Sequence, residues 1–299
     1  MQIHLVDLPL HRAGFRNFLS SWLLRDAERD KTYLVDTGPP SVWPVLREAV
    51  EKIGDGRIDA ILLTHVHLDH AGAAGCAARE YNAPVAAPAK GIPHLLDPSA
   101  LWKGTLQTIG ETALLYGEPT PVPKELILPE GALPAGFAAI DTPGHAAHHQ
   151  SFVFDDEGFL TLFPGEAAGV CLEGEEPFPY LRPATPPRFF PEVTLASLDR
   201  LLECGSSRIC YGHYGSAGEA REMITFAKEQ ILFWKDVVLG LLRQGTPPND
   251  EEVFFQELLE RDPFLAAWSR MQPDIKARER AFLGNSIRGF LGAFAGPPA

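Results

Sequence analysis

One stretch confines this chain more than any other: residues 58–70, "IDAILLTHVHLDH". Its apolar first half is short and β-branched at the start, as expected of a strand buried on both faces. His65, His67, Asp69 and His70 follow at once. A strand alternates faces with period two, so side chains at 65 and 67 leave the same way. Asp69 and His70 then fall in the loop before a helix that is expected from about Ala71 to Asn82. A lone histidine at such a place is usually a satisfied core residue. Four titratable groups in six positions are costly to bury unless a cation compensates them. Imidazole nitrogen with carboxylate oxygen is the ligand set of catalytic zinc.

The rest of the first two-thirds reads as α/β. "IHLVDL", "NFLSSWLL", "TYLVDTG", "APVAAPA", "FAAIDTPG", "QSFVF", "GFLTLFPG" and "RICYGH" are short apolar or alternating runs that end in turn residues. Between them, Ser41 is placed to cap a helix with Pro44 in its first turn and Gly54 at its end. Another helix is expected within 90–116, and "TLASLDRLLECG" reads as one stopped by Gly205. The segment 172–193 is Pro-rich and reads as a long loop, either passive or a lid, with Tyr180 and Arg182 as candidate substrate contacts.

After "YGHYG" the composition shifts. Ser216 and Glu219 have capping-box spacing. Ile224, Ala227, Ile231, Trp234, Val238 and Leu241 recur at steps of three and four, as in an amphipathic helix. Leu283, Ile287, Phe290, Leu291 and Phe294 form a second stripe near the end. The expected division is therefore a catalytic-looking body, 1–215, and a C-terminal helical region, 216–299. The stripes read first as core packing and second as a lid or a homodimer contact.

A formal net charge of −13 is unfavourable for nucleic acid or an anionic membrane, so neither is expected as a partner. Cys76, Cys171, Cys204 and Cys210 show no C-x-x-C spacing and read as thiols of a reducing compartment. The first residues lack the pattern of a signal peptide, and no apolar run is long enough to span a bilayer. The expected location is cytoplasmic.

"THVHLDH" resembles the H-x-H-x-D-H signature of the metallo-β-lactamase superfamily, and further motifs follow the family's order. Asp36 in "LVDTG" resembles the supporting aspartate of the first motif. His145 in "DTPGH" stands at the third-histidine position, Glu166 in "FPGE" where the family usually has Asp, and His213 in "CYGHYG" at the last ligand position. The resemblance covers roughly residues 1–215. It implies an αββα sandwich and a binuclear centre, two zinc ions per chain with iron or manganese as alternatives. His65, His67 and His145 would bind the first metal, Asp69, His70 and His213 the second, and Glu166 would bridge. Glu is one methylene longer than Asp, so it could instead serve one metal or leave the second site weak. His148 and His149 are extra to the set and read as packing or as partners behind the ligands.

The resemblance implies water activated between the metals and attacking a carbonyl, with Asp69 orienting the nucleophile and accepting its proton. The leading reading is a hydrolase of a small ester, thioester or lactone, since relatives with these motifs include glyoxalase II-like thioesterases and acyl-homoserine lactonases. The alternative is a mono-iron persulfide dioxygenase-like enzyme of the same superfamily. A non-catalytic binding protein and a nuclease rank lower.

Overall fold

The computed structural model describes residues 1–172, 180–186 and 188–295. Within them the strand-like runs form two mixed five-stranded sheets. The first contains β1 Gln2–Asp7, β2 Ser20–Asp26, β3 Lys31–Val35, β4 Ala60–Leu62 and β5 Val85–Ala86, in that spatial order. Its first three strands are antiparallel, whereas β3, β4 and β5 run parallel. The second sheet is built from β6 Phe137–Asp141, β7 Gln150–Asp156 and β8 Phe159–Phe163. A hairpin of β9 Val170–Leu172 and β10 Tyr180–Arg182 follows in sequence, and β11 Arg208–Cys210 and β12 Ser216–Ala217 then complete this sheet in the order β12-β11-β8-β7-β6. β11 lies parallel to β8.

Strand periodicity explains the layers. Trp22 and Leu24, Tyr33 and Val35, Ala60 and Leu62, Phe152 and Phe154, Phe163 and Cys210 form one buried cluster between the sheets. The residues between them, such as Leu23, Leu34, Ile61, Val153, Leu162 and Ile209, belong to a second cluster shared with the helices. Over these two outer faces lie α1 Trp43–Ile53, α2 Leu68–Ala71, α3 Ala74–Tyr81, α4 Ile92–Leu96, α5 Ser99–Ile109, α6 Glu111–Tyr116, α7 Pro191–Glu203 and α8 Ala220–Arg243, followed by α9 Glu251–Arg261 and α10 Pro273–Phe294. The architecture is the αββα sandwich.

Several local expectations change. Ser41 does not cap α1: it sits inside a 3₁₀ turn, Pro40–Val42, and no side chain caps the helix. Ser216 does not start α8 either, because it pairs with Cys210 as a strand residue and the helix begins at Ala220. The helix expected from Ala71 divides into α2 and α3, and that in 90–116 divides into three, broken at Asp97-Pro98 and at Gly110. Of the Pro-rich stretch, 173–179 and 187 lie outside the described residues. The remainder is not all loop: Tyr180–Arg182 pairs with Val170–Leu172, and Pro191 opens α7, where its missing N–H costs nothing.

The stripe of α10 is core. Phe290 is fully buried, with ring centroids 4.8 Å from Phe189 and 5.4 Å from Trp234. Among the described residues no helix is long and apolar enough to cross a membrane.

Candidate metal centre

The C-terminal ends of β3, β4, β6, β8 and β11 open toward one edge of the sandwich, and each carries a motif there. After β3, Asp36 adopts a left-handed φ of +56°, which a short polar side chain tolerates. Its Oδ1 accepts from Thr64 N at 2.8 Å. Its Oδ2 accepts from Thr64 Oγ1 at 2.8 Å and faces His70 Nδ1 at 2.8 Å. The Thr64 hydroxyl gives its hydrogen to Asp36, so it must accept from His65 Nδ1, 3.1 Å away. One buried carboxylate thus turns two imidazoles so that Nδ1 carries a proton and Nε2 points inward.

β4 ends at Leu62, earlier than the sequence suggested. His65 and His67 are therefore brought together by an extended loop rather than by strand pleat, with ring centroids 4.6 Å apart. Asp69 and His70 lie on the short helix α2 itself, not in a loop before it.

His145 follows β6, and its Nδ1 faces the carbonyl of Ala184 at 3.0 Å. Its Nε2 lies 2.9 Å from His67 Nδ1 and 2.9 Å from Glu166 Oε2. Glu166 follows β8. The same Oε2 lies 3.5 Å from both His65 Nε2 and His70 Nε2. Its Oε1 lies 3.3 Å from His213 Nε2, which is 3.8 Å from Asp69 Oδ2. Glycine makes the last approach feasible, since a Cβ on Gly212 would stand 2.9 Å from His70 Cε1.

The seven motif residues thus form two adjoining groups, His65, His67, His145 and Glu166, and Asp69, His70 and His213, the ligand atoms of each lying within 4.8 Å of one another. Glu166 faces imidazoles of both.

Electrostatics fit a cation. Burial holds His65 well below its usual pKa, and burial with the neighbouring His145 pulls His67 down to about 3, so both offer lone pairs. For His70 the lowering by burial is outweighed by Asp36 and Glu166, and for His145 it is outweighed by Glu166, so both are raised. The burial that would raise Glu166 is outweighed by His145 and His213, which hold it well below the carboxylate range. The decisive observation is that the buried His65 Nε2 and His70 Nε2 find no hydrogen-bond partner. Buried polar atoms are rarely left so. One proton on His145 Nε2 serves either His67 or Glu166, whereas a divalent ion takes imidazole and carboxylate donors together.

Other residues acquire roles that the motifs do not announce. Thr64, inside the signature, is the link from Asp36 to His65. His148 Nε2 accepts from Val66 N at 3.3 Å and His149 Nε2 from Glu166 N at 3.1 Å. Both extra histidines therefore support backbone near the clustered imidazoles. Phe18 stacks on His213 with centroids 4.6 Å apart, and the Arg278 guanidinium lies 4.0 Å from the centre of the same Phe18 ring. No spacing in the sequence links residues 18, 213 and 278. Arg182 is not free to meet a substrate, because its Nε is bound to Glu279 at 2.7 Å. Tyr180 does line a cavity of about 570 Å³, together with Asn17, Tyr214, Arg270 and Arg278. Tyr214 follows His213 directly in the chain, and none of the seven motif residues themselves lines this cavity.

The description "Metallo-beta-lactamase superfamily" belongs to a family model that matches residues 16–213, more than half of the chain. A metallo-beta-lactamase fold-containing protein of Sulfurisphaera tokodaii is 29% identical over 53% of this chain and 61% of its own length. A probable metallo-hydrolase of Methanocaldococcus jannaschii is 29% identical over 42% of this chain and 59% of its own, so the chain spans about three-fifths of these relatives. A hydroxyacylglutathione hydrolase of Cereibacter sphaeroides is 26% identical over 89% of this chain and 88% of its own length. Among solved structures, a metallo-beta-lactamase family protein of Thermus thermophilus superposes with a TM-score of 0.57 at 24% identity, covering 93% of this chain and 94% of its own, a likeness of fold.

Proposed function

Because the chain belongs to the metallo-beta-lactamase superfamily, we propose that it is a metal-dependent hydrolase of a small ester, thioester or lactone, with two zinc ions as the intended complement. His65, His67 and His145 would hold one ion, Asp69, His70 and His213 the other, and Glu166 would touch both. The observation that carries this reading is the pair of buried, unpartnered nitrogens, His65 Nε2 and His70 Nε2, converging on Glu166 Oε2 at 3.5 Å each. Divalent ions held there supply Lewis acidity, which lowers the pKa of water and polarises a carbonyl.

The chain's own residues supply the rest. Asp36 and Thr64 lock the imidazoles of His65 and His70 before any ligand arrives. Asp69, with one-fifth of its side chain exposed, is the accessible carboxylate and is assigned the proton from the attacking water. The cavity beside Tyr214 is assigned the non-reacting part of the substrate, and its volume suits a small organic molecule. The hydroxyacylglutathione hydrolase likeness over most of the chain supports a thioester as the first substrate to try.

Elemental analysis of protein purified without added metal is the first test, with two zinc ions per chain expected. A thioester, lactone and phosphodiester panel follows on the same sample. A folded preparation without transition metal would remove this reading. One iron and no zinc would transfer the chain to the dioxygenase alternative.

A further inference from the structure

His149 is the buried titratable group that the proposed chemistry leaves unused, with 2% of its surface exposed. It is not a further ligand, since both ring nitrogens already have partners. Nε2 lies 3.1 Å from Glu166 N and Nδ1 lies 2.9 Å from Thr142 Oγ1. Thr142 Oγ1 lies 2.9 Å from Ser151 Oγ, which lies 3.1 Å from the carbonyl of Pro164.

The direction of every bond in this relay is fixed from its two ends. A backbone N–H only donates, so His149 Nε2 must be the lone pair and Nδ1 must carry the hydrogen. A carbonyl only accepts, so Ser151 donates to Pro164. Thr142 then accepts from His149 and donates to Ser151. The two ends, Pro164 O and Glu166 N, flank Gly165, so the three side chains clasp a single turn. Gly165 has φ of +56°, and a Cβ there would stand 2.6 Å from His149 Nε2 and 2.9 Å from Thr64. The turn has the conformation and the bareness that the clasp requires.

We infer that His149 is a positioning residue for Glu166, setting where its backbone starts so that the longer carboxylate reaches both groups of imidazoles. This rests on the reading of Glu166 as a ligand. The distal oxygens of Glu166 meet four imidazoles between 2.9 and 3.5 Å. A shift of a few tenths of an ångström at its nitrogen would move the carboxylate off one group. Partners behind metal ligands typically change affinity by about 10- to 100-fold when removed.

The test is calorimetric titration of zinc into metal-free protein for the wild type, His149→Leu, His149→Gln, Glu166→Gln and the His149→Leu/Glu166→Gln double variant. His149→Leu should weaken binding by about 10- to 100-fold. His149→Gln, whose amide oxygen can accept from Glu166 N, should recover most of it. In the Glu166→Gln background, His149→Leu should add little, because the group it positions has already lost its charge. Wild-type affinity in His149→Leu, or an equal loss in both backgrounds, would overturn the inference. Glu166→Gln separates the two ideas: loosened binding there with none in His149→Leu defeats the inference alone, whereas unaltered binding in Glu166→Gln defeats the ligand reading beneath it. If His149→Leu does not fold, Thr142→Val removes the acceptor of Nδ1 and keeps the ring. Weaker zinc binding in that variant supports the clasp, and unaltered binding overturns it.

Discussion

Two clusters of buried polar groups lie on either side of Phe18, and they are completed in opposite ways. In the first, Glu279 sits between two guanidiniums, one oxygen 2.7 Å from Arg182 Nε and the other 2.9 Å from Arg278 Nε. Arg278 also donates to the carbonyl of Gly14. In the second, imidazoles converge on Glu166, and His65 Nε2 and His70 Nε2 meet no hydrogen-bond partner. The carboxylates at their centres, Glu279 and Glu166, are both buried. Burial of charge therefore does not by itself mark a site. What distinguishes the second cluster is donor atoms oriented by their neighbours and left without a partner of their own. The first holds β10 to α10, and the second is built to receive something.

The comparison breaks most clearly at Asp69. Replacing it by Asn keeps its size and removes its charge, and it is partly exposed. Turnover should fall by about 100- to 10,000-fold, while the melting temperature of the metal-free protein stays put. Full activity in the variant would mean that Asp69 does not handle the proton.

Next comes Glu279→Ala, which strands two buried guanidiniums. Removing one partner of a buried ionic network costs about 3–5 kcal/mol. Denaturant unfolding should show that loss. A cost under about 1 kcal/mol, typical of exposed pairs, would show that this cluster is not the closed structural unit described.

The smallest effect is in pH. Burial would raise the Glu279 carboxyl, but Arg182 and Arg278 outweigh it, so it titrates below its ordinary 4.5 in the folded chain. A depressed folded pKa contributes stability that is complete above the unfolded value and lost as pH falls through the folded one. The advantage of wild type over Glu279→Gln should thus be level above about 4.5 and shrink in more acid solution. An advantage that persisted unchanged to far lower pH would contradict the depressed titration.

Much of this was legible in the primary structure. The alternation in "SSWLLRD", "QSFVFDD" and "FLTLF" separates the face between the sheets from the face under the helices. The ordered motifs from Asp36 to His213 name the residues that the fold gathers. The strands β9, β10 and β12 were not legible, because each has only two or three residues and, unlike the equally short β4, β5 and β11, none was marked by a longer apolar run. Ser216 illustrates a second limit: its local spacing favours a cap, but pairing with Cys210 prevails. The supporting hydroxyls were hidden for another reason. Thr142 and Ser151 flank the loop that carries His145 and His149, and nothing in their identity says that their hydrogens lead to the turn before Glu166.

The distribution of the ligand candidates over the two sheets bears on the order of events during synthesis. A nascent chain releases the H-x-H-x-D-H segment long before His145, Glu166 and His213, and the sandwich closes only after β11 has been made. On the proposed function, a metal ion is then expected to enter a cleft already formed and not to be the mould around which this protein forms. Binding that belongs to the native state and not to the folding barrier slows unfolding and leaves folding unchanged. Stopped-flow folding with and without zinc would show it: a folding limb accelerated by the metal would mean that the cleft assembles early, around the ion.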